Sequence, residues 1–259
     1  MLRQHEANGV TYFTFPQLTA LGVHHVIGTR LGGVSSPPFD TLNVSLSVGD
    51  DPQRVEENRR RLAALVDIAP TQLVTAWLVH GRDVARVNGE HRGHRIPYHD
   101  ALMTNEPGVP LFMTFADCLP IIVYDPVRRA VALVHAGWRG TAAGIMEHTL
   151  LAMHEAYGTR PQEVIVGFGP AIRACHYEIG PDVVEAFRLL GRTPPVLHPA
   201  DNGHARLDLV ETNRRQAASL GVSEFLTASH CTACHTDLFF SHRAEHGQTG
   251  RFGVVVVLA

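Results

Sequence analysis

The sequence predicts an α/β (α+β) fold: a mixed β-sheet core flanked by helices, in one domain spanning residues 1–259. Strand-length apolar runs recur at 119–124 (LPIIVY), 130–134 (AVALV), 163–168 (EVIVGF) and 253–259 (GVVVVLA), and runs of that length bounded by turn residues read as buried strands. Stretches with helical apolar period lie between the strands. Many strands interleaved with four or five helices imply helices layered on a mixed sheet. A chain of 259 residues has ample length to bury a core.

Residues 24–30 (HHVIGTR) read as a strand entering the irregular loop LGGVSSPPFDTLN, with Arg30 at its mouth and Asn43 near its end. Loops so rich in Gly, Ser and Pro tend to carry function. Asp51-Pro52 opens a helix as N-cap and first helical residue, running from Gln53 to about Val66 with Val55, Arg59, Leu62 and Val66 on one stripe. Residues 75–80 (TAWLVH) and 83–88 (DVARVN) alternate around Gly81-Arg82, which predicts a hairpin with His80 at its turn. A polar, His-rich loop follows, then a short strand at 100–105 and a further strand from Leu111.

The stretch 111–157 holds the densest chemistry. Asp125-Pro126-Val127-Arg128 suits a type I turn, and pairing Tyr124 with Arg129 would set Cys118 opposite His135 on one face. A one-residue slip would separate them. After His135 comes the glycine-rich loop AGWRG, a strand-to-helix connection suited to an anion, and a helix from Thr141 with Ala142, Ile145, Thr149, Ala152 and Met153 inward. Beyond 163–168, GPAIRACHYEIG is a loop. A helix opens at Pro181 with Val183, Phe187 and Leu190 inward, and another spans 209–220. Residues 224–229 form a strand, 231–251 polar loop, and 253–259 a terminal strand.

His80, Cys118 and His135 each end a strand beside a turn. Two His and one Cys are a known zinc set with one position open for catalysis. The same residues also allow a Cys118 nucleophile with His135 as base, or a packed cysteine and two ordinary histidines. Arg30, Arg139, Arg243 and Arg251 lie in loops at strand ends, where arginines can clamp phosphate or carboxylate. Asp117 should point away from Cys118 and orient a loop. Cys231-Thr232-Ala233-Cys234-His235 fits the c-type haem pattern, but haem c is attached outside the cytosol. Cys175-His176 could instead complete a second metal pair with Cys231 and Cys234; two ordinary loop cysteines are the plainer reading.

A net charge of −3 offers no electrostatic basis for binding nucleic acid or anionic membrane. The N-terminus lacks a secretory pattern, no apolar run reaches membrane-span length, and four unevenly spaced cysteines suit a reducing, cytoplasmic setting.

At these motifs the chain resembles the YfiH family, bacterial relatives of human FAMIN once described as polyphenol oxidases or laccases. The matching pieces are TRLGGVSSPPFDTLN, VHG, DALMTNEPGVP, ADCLPIIVYDP, HAGWRGTAAGI, GPAI with CHYEIG, and CT followed by FFSHR and TGRFG. They run in family order from about residue 24 to the end. The resemblance implies one Zn2+ held by His80, Cys118 and His135. It further implies phosphorolysis of adenosine, inosine and methylthioadenosine, with deamination of adenosine. Arg30 and Asn43 would then help bind substrate or phosphate, with Arg139 in the loop after His135. Departures are Leu78 for the usual Gln, Arg173 and His176 in the segment usually IGPCCYE, and Ala244 for a second arginine; none removes a ligand.

The expected partners are a purine nucleoside and phosphate, for a monomer or homodimer. Copper is the alternative metal, although multicopper oxidases need His-x-His pairs and 17 histidines here make none. A Cys-His hydrolase or amidase editing peptidoglycan precursors, and a zinc-stabilised binding module, are the other readings.

Overall fold

Residues 252–258 carry side chains that need cover on both faces of their strand, as in a sheet buried on both sides. The computed structural model, which describes residues 1–190 and 193–259, supplies that cover by stacking two sheets between helices. The first sheet contains β1 (Arg3–Ala7), β2 (Val10–Thr14), β3 (Val23–Gly28), β4 (Val74–Ala76), β6 (Arg95–Ile96), β8 (Leu111–Phe115) and β16 (Phe252–Leu258), in the order β1-β2-β3-β16-β8-β4-β6. The second has β5 (Val84–Arg86), β7 (Ala101–Thr104), β9 (Leu119–Asp125), β10 (Ala130–Ala136), β11 (Ile165–Phe168) and β15 (Glu224–Thr227), in the order β15-β11-β9-β10-β7-β5. Both are mixed: β4 runs parallel to β8, and β5 to β7, beside antiparallel neighbours. A small third sheet joins β12 (Glu178–Ile179), β14 (Ala205–Leu207) and β13 (Leu197–Pro199). The expected α/β class with mixed sheets holds, its strands shared among three sheets.

Strand alternation sorts the core into layers. Met113, Phe115, Phe252, Val254, Ile122, Val131 and Leu133 pack between the two large sheets. Phe112, Val255 and Val257 point the other way, against Leu62 of α2 (Pro52–Ala64). On the far side of the second sheet, Ile121, Val123, Ala132 and Val134 meet Ile145, Leu150 and Met153 of α4 (Ile145–Tyr157) and Val210 of α6 (Leu209–Ser219). The layers therefore run helix, sheet, sheet, helix. The remaining helices are α1 (Pro16–Ala20), α3 (Trp138–Ala142) and α5 (Pro181–Leu190). No helix among the described residues is long and apolar enough to cross a membrane.

The expected cap of α2 holds, and several other local expectations change. Asp51 caps α2 through its side chain, accepting from Gln53 N, with Pro52 at the first turn. The helix expected from Thr141 is instead α3 and α4, divided at Gly144, whose φ of +81° breaks the helical backbone at little cost for a glycine. Leu190 is 61% exposed, whereas Val183 and Phe187 are buried. The supposedly polar stretch 231–251 sends Phe239 and Phe240 fully into the core.

Two further corrections bear on the site. Residues 75–80 and 83–88 do not form a hairpin, because β4 belongs to the first sheet and β5 to the second. The β9–β10 hairpin pairs Asp125 with Ala130 and Pro120 with His135, not Tyr124 with Arg129. The loop is residues 126–129: Asp125 Oδ1 accepts from the Val127 and Arg128 amides, and Arg129 takes a left-handed φ of +49°. Moving the turn by one residue changes the pairing sum by two, so facing is preserved although the opposed partners are not.

Candidate active site

His135 shares the facing of Val131 and Leu133, which places its ring at the rim of the core between the sheets, 5.5 Å from the Phe115 ring. Cys118 lies in the bend from β8 to β9 and packs on the edge of the same core. His80 arrives from the connection that crosses from β4 in one sheet to β5 in the other. The three ligand atoms lie within 4.8 Å of one another, and the two histidine rings stand 5.0 Å apart, edge to face.

A residue overlooked in the sequence organises this cluster. Asp100, fully buried just before β7, accepts four hydrogen bonds. Its Oδ1 takes His80 N at 3.0 Å and His135 Nδ1 at 2.9 Å. Its Oδ2 takes Val79 N at 3.1 Å and Gly81 N at 2.7 Å. The carboxylate thus wraps the 79–81 backbone around itself, with His80 at a left-handed φ of +59°. Such wrapping is incompatible with a two-residue hairpin. It also fixes the His135 tautomer, leaving Nε2 for the cluster; carboxylate–histidine pairs of this kind orient metal ligands. Burial by itself would raise the Asp100 pKa, yet the bond to His135, that ring's charge and the backbone donors hold it below the usual range.

The same balance operates on Cys118 and His135. Burial pushes the Cys118 thiol up, but the His135 charge and hydrogen bonds from His135 and His80 bring it down to about 6. Burial pushes His135 down, but the Cys118 charge and the Asp100 bond carry it up to about 9. Without a metal, both shifts favour a thiolate–imidazolium pair over a neutral one.

The cluster opens into a cavity of about 490 Å³ lined also by Ser45, Ser47, Trp138, Arg139, Tyr177, His242, Arg243 and Arg251. Arg139 lies over the Trp138 ring at 4.3 Å. Arg243 donates to the Glu178 carbonyl, and Arg251 to the carbonyls of Thr249 and Gly250. None of the three has a carboxylate within ion-pair distance among the described residues; backbone carbonyls hold Arg243 and Arg251, and the Trp138 ring lies under Arg139.

Arg30 and Asn43, expected at the substrate, stand behind this wall. Arg30 is spent on Glu245 and on the Asp40 and Thr236 carbonyls, and lies over Phe240. Asn43 is buried; its Oδ1 accepts from Ser45 N and Arg251 N, which fixes two lining residues. Asp117 accepts from Thr232 Oγ1 and Arg243 N and so anchors the loop that carries Arg243.

Close approach shapes the floor. A methyl group on Gly140 of α3 would stand 2.6 Å from the Gly81 carbonyl oxygen. We expect Gly140→Ala to lose about 1–3 kcal/mol through overpacking, outweighing the gain of about 1 kcal/mol in helix propensity. Urea unfolding checks this; a midpoint at or above that of the parent would show that the His80 loop yields freely.

A family profile described as multi-copper polyphenol oxidoreductase laccase matches residues 24–259. The purine nucleoside phosphorylase YlmD of Geobacillus stearothermophilus is 40% identical over 234 residues, covering 86% of this chain and 85% of that relative. The purine nucleoside phosphorylase YfiH of Shigella flexneri is 35% identical over 237 residues, covering 92% and 94%. The crystal structure of YlmD from Geobacillus stearothermophilus matches with a TM-score of 0.92 at 36% identity, covering 98% of each chain.

Proposed function

This chain belongs to the YfiH family, and from that premise we propose that it is a zinc-dependent purine nucleoside phosphorylase acting on adenosine, inosine and methylthioadenosine, with adenosine deamination as a side activity. The observation that carries this reading is a His80–Cys118–His135 cluster opening into a cavity walled by Arg139, Arg243 and Arg251. The donor set fits the metal: two imidazoles and a thiolate suit zinc, with the Asp100–His135 bond as outer support. A zinc held there would supply Lewis acidity at a fourth position left open to substrate.

The chain's own residues do the rest. Arg139, with Arg243 and Arg251, draws inorganic phosphate into the cavity and offsets its charge. Phosphate oxygen attacks the sugar C1′, the bond from C1′ to the purine nitrogen breaks, and the products are a free base and a pentose 1-phosphate. Trp138 and Tyr177 give the cavity flat apolar walls suited to a purine face. Asn43 and Arg30 hold the wall from behind. Deamination, in which water replaces the amino group at purine C6, uses the same cavity.

The deciding experiment incubates purified protein with inosine and inorganic phosphate and follows hypoxanthine and ribose 1-phosphate. Release of base that requires phosphate is expected; no release, or release independent of phosphate, overturns the reading. The thiolate–imidazolium pair favours one second reading, a Cys118 nucleophile with His135 as base. An acyl adduct on Cys118 formed only in metal-free protein would select it.

Zinc uptake should be linked to protons. Reference values of 9.0 for Cys118 and 6.5 for His135 move to about 6 and about 9. Between about pH 6.5 and 9 the metal-free pair therefore holds one proton, on His135, and Nε2 must release it to become a ligand. We expect apparent zinc affinity to rise about tenfold per pH unit across that window. Metal-free stability should stay nearly flat there: the lowered thiol pKa favours folding as pH rises, and the raised imidazole pKa opposes it equally. Competition titrations with a chelator at several pH values read the slope, and a slope of zero would refute the release of a proton on binding.

A further inference from the structure

Cys175, His176, Cys231 and Cys234 lie outside the cavity lining, with their ligand atoms within 4.8 Å of one another. We propose that they form a second metal site, a closed structural zinc centre of three cysteines and one histidine. Bond lengths near 2.3 Å to sulfur and 2.0 Å to nitrogen put the ligands of a tetrahedral zinc about 3.8 Å apart for two sulfurs and about 3.5 Å for sulfur and nitrogen. Here Cys175 Sγ and Cys234 Sγ are 3.6 Å apart. His176 Nδ1 stands 3.3 Å from Cys175 Sγ, 3.3 Å from Cys234 Sγ and 3.9 Å from Cys231 Sγ. These four separations lie near tetrahedral edge lengths and the remaining two are within 4.8 Å; four protein donors would leave no open position, which marks a structural rather than a catalytic site.

The surroundings are also those of a metal knuckle. Cys231 and Cys234 have the two-residue spacing of zinc ribbons, and a tight turn bonds Cys234 N and His235 N to the Cys231 carbonyl. The Arg173 amide points at Cys231 Sγ at 3.4 Å, as outer donors do toward ligating thiolates. Cys231 is buried, while Cys175 and Cys234 are exposed, which gives an ion an entry path. His235, the histidine of the haem-like motif, turns away and meets the His230 ring instead.

The site clips together two loops that shape the cavity. Tyr177, which follows His176, lines it. Thr232, which follows Cys231, bonds to Asp117, the neighbour of Cys118, and Thr232 N bonds to the Ala171 carbonyl. A zinc here would therefore hold the Tyr177 wall and the Cys118 bend in place without touching substrate.

The test is zinc content of the full chain purified in reductant, for the parent and for Cys175→Ser/Cys234→Ser, whose replaced residues are both exposed, with circular dichroism on the same samples to show that the variant is folded. The double variant should carry about one zinc per chain less than the parent. Cobalt-exchanged parent should show strong thiolate-to-metal absorption that falls by well over half in the double variant, because three of four cysteines sit in this site. Equal zinc in parent and variant, or a Cys175–Cys234 disulfide with no zinc difference, overturns the proposal. Because the readout is a difference between two proteins, it stands whether or not the first cluster binds zinc or phosphorolysis is observed.

Discussion

Cys118→Ala should lose the zinc of the His80 cluster and lower phosphorolysis by at least about 10²–10³-fold, the size of effect that follows removal of one preorganised electrostatic group. The thiolate is the anionic donor of the three, and two imidazoles alone leave a buried cation without a charge partner. Removing it also strips His135 of the largest influence that raises its pKa, leaving the Asp100 bond and charge to oppose burial. Cys118→Ser should behave similarly, because a serine hydroxyl stays protonated at neutral pH. Elemental analysis and the inosine assay, run on the same preparations, separate the outcomes. A metal-free variant with full activity sinks the zinc reading, and a metal-loaded but inactive one transfers the role of Cys118 to nucleophile.

Residue chemistry made the three members of the cluster legible in the sequence, because a cysteine and two histidines stand beside predicted turns and the folded chain brings their ligand atoms within 4.8 Å of one another. The helix at Asp51-Pro52 was legible for the same local reason, a cap followed by proline. What escaped was decided at long range. Asp100 looks like any residue opening a strand, and only the folded chain brings Val79, His80, Gly81 and His135 to its two oxygens. The same carboxylate explains why 75–88 does not fold back as a hairpin. The left-handed Arg129 shifted the β9–β10 pairing in a way that turn propensities do not reveal. β1 and β2 are short and largely exposed or half-buried, so alternation gave them little signal. Arg30 could not be told from a cavity arginine until Glu245, 215 residues away in sequence, closed on it.

Asp100→Ala should be the most damaging single substitution away from the ligands themselves. It strands four donors at once: three backbone amides with no other partner among the described residues, and the Nδ1 proton of a buried ring. Each such group costs about 1–3 kcal/mol when left unsatisfied, and breaking a buried charged pair typically costs about 3–5 kcal/mol. The expected result is a fall in unfolding free energy of about 3–5 kcal/mol, with zinc affinity reduced about 10–100-fold as for other lost outer partners of a ligating histidine. Asp100→Asn divides the two effects. An amide oxygen at the Oδ1 position can still accept from His80 N and His135 Nδ1, whereas its NH2 group would confront the amides of Val79 and Gly81. That variant should keep most of its zinc while losing stability. Urea unfolding read beside chelator competition makes the comparison. If Asp100→Ala kept both its midpoint and its metal, the carboxylate would be a passenger and the His80 loop would hold its shape by packing alone.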